Sequence, residues 1–103
     1  MTAEALHQLP ARVVAQATGA NPRTVERWRA GANPRRELYR LRLDDLAAVL
    51  EILGPQMGWR ARQAWLTGRS AHIGWRRPVE LLAAGEFERV QGAALAFAAG
   101  DPT

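Results

Sequence analysis

With 103 residues, the chain has the size of one small domain or of two small helical lobes that share a core. It has no cysteine, which excludes disulfides and thiolate metal sites, and neither a membrane-spanning apolar run nor a signal peptide is visible, so the sequence predicts a cytoplasmic protein. Residues 1–42 have a charge balance of +5 and residues 43–103 a balance of −1, which favours either a polyanion partner for the first half or a simple solvated basic surface.

The first predicted elements are a short helix over residues 2–8 and a second helix over residues 11–17. Leu6 and Leu9 are expected to face inward from the first helix. Gly19 provides the positive-φ residue with which the second helix can end abruptly.

A third helix is predicted to begin at Pro22, with Asn21 as its N-cap, and to end near Gly31. Val25 and Trp28 are three residues apart and share a face, so they should pack against the preceding helix. The spacing is typical of a helix-turn-helix, in which the second helix meets DNA. The alternative is an ordinary helical hairpin with a solvated arginine face.

The outward side of this third helix carries the residues that we expect to contact DNA. Arginine and threonine at an exposed helix N-terminus can reach base edges, and the N-cap lies beside them. The predicted DNA-reading residues are Asn21, Arg23, Thr24 and Arg27.

A long helix is predicted from Arg35 to Leu53, with a broad apolar stripe that favours more than one packing partner. Arginines near its start could hold phosphates and set the position of the third helix on DNA, although simple solvation accounts for each of them equally well. The arginines assigned to DNA are Arg35, Arg36 and Arg40, with Tyr39 and Arg42 nearby; the stripe comprises Leu38, Leu41, Leu43, Leu46, Val49, Leu50 and Leu53.

Gly54 and Pro55 end the long helix and predict a boundary between residues 1–53 and residues 54–103. The second part is expected to contain three helices and one loop, which completes an all-α fold. The helices are predicted over residues 56–66, 78–84 and 86–99, and the loop over residues 67–77. In the first of these helices the expected inner side comprises Met57, Ala61, Ala64 and Trp65, and in the last it comprises Phe87, Val90, Ala94 and Phe97.

The sequence offers no pattern that supports catalysis, a metal site or a cofactor. His7 and His72 are far apart, and neither lies at metal-ligand spacing from another ligand. Asp44 and Asp45 are adjacent and therefore splay apart on a helix, so we expect solvent-facing charges and not an acid/base pair. A non-enzymatic protein is predicted.

The second half resembles the toxin-binding domain of Xre/MbcA/ParS-type antitoxins. The matching residues are Trp65-Leu66, the run Gly74-Trp75-Arg76-Arg77-Pro78-Val79-Glu80-Leu81-Leu82, then Ala84-Gly85-Glu86 and Val90. In that family the domain follows an Xre-like helix-turn-helix, which is the order seen here, and the resemblance extends from about Ala11 to the end.

The resemblance implies an antitoxin that binds and blocks a RES-domain toxin, an enzyme that degrades NAD. It also implies that the helix-turn-helix binds the promoter of its own operon as a homodimer or as a larger assembly with the toxin. Carried over by position, the toxin-binding candidates are Trp75, Arg76, Arg77, Arg89, Asp101 and Thr103.

Two alternatives remain open on the sequence. One is a plain dimeric helix-turn-helix regulator without a toxin partner, in which the second half only dimerises. The other is a toxin-binding module whose helix-turn-helix no longer binds DNA and serves as a scaffold.

Overall fold

The computed structural model describes residues 3–54 and 57–100. All regular secondary-structure elements within these ranges are helices, so the predicted all-α fold is confirmed. A 3-10 turn over Ala71–Ile73 and an isolated antiparallel bridge between Ser70 and Arg76 lie in the predicted loop. Within the described ranges no helix combines the length and apolarity that crossing a membrane requires. The helices are α1 (Ala3–Gln8), α2 (Ala11–Thr18), α3 (Pro22–Arg29), α4 (Glu37–Leu53), α5 (Trp59–Thr67), α6 (Pro78–Ala83) and α7 (Phe87–Ala98).

Two predicted helix starts are wrong by two residues or more, and the last helix, α7, begins at Phe87, one residue after its predicted start. The long helix α4 begins at Glu37 and not at Arg35, because Arg36 is extended (φ −81°, ψ 131°) and forms the N-cap. Helix α5 begins at Trp59, with the extended Gly58 before it. The residue predicted to start that helix, Gln56, lies outside the described residues.

One buried cluster joins the helices from both halves of the chain. Helix α2 packs against α3, α4 and α6, and α4 packs against α7 as well. The half before Gly54 and the half after it therefore share a core, which removes far more apolar surface from water than either half could alone. Fully buried members from both halves include Val13, Val14, Val25, Leu46, Leu66, Leu81, Leu82 and Val90.

Helix α4 confirms most of the predicted apolar stripe but not its beginning. Its buried residues are Leu43, Leu46, Val49, Leu50 and Leu53. Leu38 and Leu41, in contrast, are 49% and 50% exposed. Leu41 stands two residues before Leu43, so the helical period places it on the far side from the buried stripe.

The inner side of α5 also differs from the prediction. Trp65 and Leu66 are buried, whereas Ala61 and Ala64 are exposed, and Met57 precedes the helix and packs against the core from there. Because Trp65 and Leu66 are adjacent, the core side of α5 lies between them and Ala64 faces away. In α7 the predicted inner side is confirmed: Val90 and Ala94 are buried, and both phenylalanines, Phe87 and Phe97, pack against the cluster.

Candidate nucleic-acid and protein interfaces

The turn between α2 and α3 is fixed by local hydrogen bonds. Gly19 has φ 81°, and its backbone N–H donates to the carbonyl of Ala15 at 2.8 Å, which ends α2 as the sequence predicts. Asn21 caps α3, because its Oδ1 accepts the backbone N–H of Arg23 at 2.8 Å. The direction of α3 relative to α2 is thereby set by residues next to one another in the chain.

Helix α3 has one buried and one exposed side. Val25 is completely buried and Trp28 is only 6% exposed, so these two side chains attach α3 to the core. Arg23 and Arg27 are exposed on the opposite side, and Thr24 is half-buried between the two sides. The Thr24 hydroxyl accepts a long hydrogen bond of 3.4 Å from Nη2 of Arg27. Both arginines are thus available to a partner.

A basic groove of about 380 Å³ lies beside this exposed side, between the end of α3 and the start of α4. Three guanidinium groups line it, and within the described residues none of the three forms an ion pair with a carboxylate. An open groove with several uncompensated positive charges suits a phosphate backbone. Its lining is Thr24, Arg27, Trp28, Ala32, Asn33, Arg35, Arg36 and Tyr39.

Two aromatic side chains line this basic groove and contact each other. Trp28 and Tyr39 meet edge to face, with ring centroids 5.5 Å apart. The Arg36 guanidinium lies over the Tyr39 ring at 5.6 Å from its centroid. Arg40 is exposed nearby and donates to the carbonyl of Pro34 at 3.1 Å. The structure therefore brings the arginines that the sequence assigned to phosphate contacts, Arg35, Arg36 and Arg40, together near the N-terminal end of α4.

Arg42 does not share this location. Its guanidinium is mostly buried, with Nη1 3.8 Å from Oδ2 of Asp45, and it lies against Gly85 at the turn between α6 and α7. Asp45 is correspondingly half-buried and not simply solvent-facing as predicted. Burial raises the pKa of the Asp45 carboxyl; Arg42 partly opposes this, and the charge of Asp44 adds to it.

In the second half, residues 69–77 form a tight loop that rests on the core. Ser70 is buried, and its backbone N–H donates to the carbonyl of Arg76 at 3.0 Å. Its Oγ accepts the backbone N–H of His72 at 3.3 Å, which caps the 3-10 turn, and Ile73 is buried beneath that turn. The loop is therefore ordered by its own backbone, although its sequence shows no periodicity.

Trp75 lies at the tip of this loop and is 61% exposed. Its backbone is in the left-handed region, with φ 62°, directly after Gly74 with φ 65°. Arg69 donates through Nη1 to the carbonyl of Trp75 at 3.1 Å, and Arg77 donates through Nε to the carbonyl of Thr67 at 3.0 Å. Trp75 thus projects into solvent from a fixed base.

The other toxin-binding candidates are more dispersed. Arg76 and Arg77 are exposed next to Trp75, and Arg77 also approaches the carboxylate of Glu80 at 3.6 Å. Arg89 lies on α7, paired with Glu86 at 2.9 Å. The two candidates in the tail, Asp101 and Thr103, lie outside the described residues.

Two loop residues that position Trp75 escaped the sequence analysis. Arg69 holds the Trp75 carbonyl, and Ser70 accepts the Trp75 backbone N–H through its own carbonyl at 2.8 Å. The cap that the Ser70 hydroxyl forms with the His72 N–H is a known local signal and could have been found in the sequence. Its bond to Trp75 is made by the backbone carbonyl and does not depend on the residue type. The role of Arg69 depends on the folded shape of the loop and leaves no trace in the sequence.

No family model matches the chain. It is 32% identical over 81 residues to the mycobacterial cidal antitoxin MbcA of Mycobacterium tuberculosis and of Mycobacterium bovis, a match that covers 79% of this chain and 72% of each relative. Its structure also matches a chain in the crystal structure of the M. tuberculosis MbcT–MbcA toxin–antitoxin complex, with a TM-score of 0.78 and 28% sequence identity. That match covers 97% of this chain and 92% of the other.

Proposed function

Because the chain belongs to the family of the antitoxin MbcA, we propose that it neutralises a RES-domain toxin that degrades NAD and represses transcription of its own operon. The chain is an antitoxin of a toxin–antitoxin system. The identity of the toxin and the action on DNA are the proposed parts. Both activities belong to the cytoplasm, where NAD and the promoter are found.

The observation that carries toxin binding is the structural match to a chain of a toxin–antitoxin complex over 97% of this chain's length. The match includes the second half, which contains the tight loop and α7. Exposed arginine and tryptophan side chains are the types that dominate protein interfaces. We assign toxin contact to Trp75, Arg76, Arg77 and Arg89, and in the tail to Asp101 and Thr103.

DNA binding is supported by the exposed side of α3 and the basic groove beside it. Arg23 and Arg27 point away from the core. Arg35 and Arg36, which stand between α3 and α4 in the sequence, line the groove. The excess positive charge of the whole chain lies in this half, where it attracts a phosphate backbone. We assign base contacts to Asn21, Arg23, Thr24 and Arg27, and phosphate contacts to Arg35, Arg36 and Arg40.

Co-expression tests the proposed toxin neutralisation. A RES-domain protein from the same genome, the proposed toxin, is expressed alone or together with the chain. Growth, cellular NAD and complex formation on size exclusion are measured. Neutralisation predicts arrested growth and falling NAD with the toxin alone, recovery of both with the chain, and one co-eluting complex. Continued toxicity without a complex contradicts the proposal. An Arg23→Ala/Arg27→Ala chain is the matched control, because it should neutralise normally and fail only on promoter DNA.

A plain dimeric regulator without a toxin partner is the second candidate, and the exposed leucines of α4 favour it. Leu38 and Leu41 together present an apolar surface beside the proposed DNA face, where a second copy of the chain would place two α3 helices on one operator. This candidate predicts operator binding and a homodimer that Leu41→Ser weakens, with no stable complex with the RES-domain protein. If the chain instead binds the toxin and does not bind any operator, the helix-turn-helix of the first half serves only as a structural scaffold.

A further inference from the structure

Trp75 combines two features that are unfavourable for the isolated chain. Among the described residues, Trp75 is the single one other than glycine whose φ is positive, at 62°. For a bulky side chain this backbone conformation is strained. In addition, 61% of its surface is exposed, so the indole gains little from burial in return. Folding alone gives no reason for a tryptophan here.

The loop holds this conformation without a partner. The backbone N–H and the carbonyl of Trp75 are both bound, the first to Ser70 at 2.8 Å and the second to Arg69 at 3.1 Å. The pairing of Ser70 with Arg76 closes the base of the loop, and Ile73 anchors it in the core. A side chain presented in this way loses little conformational freedom on binding, which favours tight association.

The charge around Trp75 indicates the chemistry of the surface that it fits. Residues 68–77 contain three arginines and no carboxylate. Arg76 is exposed beside the indole, and no ion pair is described for it, while Arg77 is only 3.6 Å from Glu80. A partner surface that fits an indole flanked by guanidinium groups has an apolar pocket with carboxylate groups around its rim.

We infer that Trp75 inserts into an apolar, acid-rimmed pocket on the toxin and determines which toxin this antitoxin recognises. The inference rests on the proposed antitoxin function and deepens it. A nucleic acid base stacked on Trp75 is the competing occupant. It is disfavoured because residues 43–103 have a charge balance of −1, so this half provides no general attraction for a polyanion.

The decisive variant is Trp75→Gly in the full chain, because glycine adopts a positive φ without strain. We expect the melting temperature to change little, because relief of the positive φ offsets the flexibility that glycine adds to the unfolded chain. Affinity for the RES-domain toxin should fall by roughly 30-fold or more, the loss typical of an interface hot spot. Trp75→Asn should behave alike, since asparagine tolerates the left-handed region. Arg76→Glu should weaken binding most at low salt, and Arg60→Ala, at an exposed arginine of α5 outside the loop, should leave toxin affinity unchanged.

Four results overturn the inference, each in a distinguishable way. If Trp75→Gly and Trp75→Asn both lower the melting temperature, the indole is structural. If toxin affinity is unchanged while the wild-type chain binds tightly, the antitoxin function stands and the role of Trp75 is wrong. If Trp75→Gly loses binding to a single-stranded oligonucleotide and not to the toxin, the loop is a nucleic-acid contact. If the wild-type chain does not bind the toxin, the proposed function itself is wrong.

Discussion

Arg42 of α4 lies directly against Gly85, the residue at the turn between α6 and α7. A Cβ built on Gly85 would be 2.7 Å from Nη2 and 3.3 Å from Cζ of Arg42, so the guanidinium occupies the space that a side chain would need. Gly85 also has φ 83°. A side chain from the first half of the chain thereby covers the turn between two helices of the second half.

Gly85→Ala is expected to destabilise the protein by about as much as its positive φ requires, because the atoms in the way belong to the end of the flexible Arg42 side chain, which can move aside. Gly19→Ala is the matched control, because Gly19 has nearly the same φ, 81°, and no atom within 4 Å of its Cβ position. We expect each substitution to lower the free energy of unfolding by about 1–2 kcal/mol, measured by urea unfolding. A clearly larger loss at Gly85 that disappears when Arg42 is also alanine would show that the guanidinium cannot move aside.

Asp45 makes stability depend on pH in a direction that can be tested. Burial raises the pKa of its carboxyl above the ordinary 3.8, so the folded chain holds this proton more tightly than the unfolded chain. The contribution of the protonated carboxyl is complete below pH 3.8 and is lost as the pH rises through the raised pKa. Asp45→Asn should thus match the wild type in acid and exceed its free energy of unfolding at neutral pH.

Urea unfolding between pH 3 and pH 7 measures this difference. Arg42→Ala provides the internal check, because Arg42 lowers the pKa of Asp45 and its removal should enlarge the pH dependence. A difference between Asp45→Asn and the wild type that stays constant across the range would contradict the role of burial.

Asn21 has a structural role that can be separated from its proposed contact with DNA. Its Oδ1 caps α3 through the backbone N–H of Arg23, so Asn21→Ala should cost about 1 kcal/mol of stability. Asn21→Asp keeps the cap, and stability should change by only a few tenths of a kcal/mol, while the added negative charge repels phosphates and lowers operator affinity. Thermal unfolding and gel shifts give the two readouts. Unchanged operator affinity in Asn21→Asp would place Asn21 away from DNA.

Elements whose ends depend on local backbone chemistry could be predicted from the sequence. Gly19, Asn21 and Pro22 each act on the neighbouring peptide groups, so the ends of α2 and α3 follow from them. The start of α4 could not be predicted in the same way, because its N-cap is Arg36, which makes no capping hydrogen bond with its side chain. The apolar stripe begins only at Leu38, after the start of the helix, so it does not mark that start either.

The tight loop shows a second limit. Its shape depends on the pairing of Ser70 with Arg76 and on the burial of Ile73, neither of which produces a periodic pattern. A tryptophan with positive φ contradicts the ordinary preference of the residue, so sequence alone favours an extended backbone there. The sequence could place Trp75 beside two arginines, but not show that the indole projects from a closed loop.

Arg23 and Arg27 are expected to set operator specificity. Both point outward from α3, where a guanidinium can donate two hydrogen bonds to one guanine. Alanine at either position should cost about 1–3 kcal/mol on the operator and much less on unrelated DNA, measured by gel-shift titration. Arg29→Ala is the control on the same helix, because Arg29 is already paired with Glu26 at 3.0 Å. A loss of the same size on both DNAs would remove these residues from base contact.

Arg35 and Arg40 are expected to act on all DNA sequences alike. They lie at the N-terminal end of α4, Arg35 in the basic groove and Arg40 beside it, where a phosphate contact releases a bound counterion. Alanine at either position should lower affinity for operator and unrelated DNA equally, and the slope of log affinity against log salt should flatten by about 0.9 per arginine. Arg60→Ala, an exposed arginine on α5, should leave the slope unchanged. Slopes that differ between operator and unrelated DNA would mean that Arg35 or Arg40 reads bases, and the division between α3 and α4 would then be wrong.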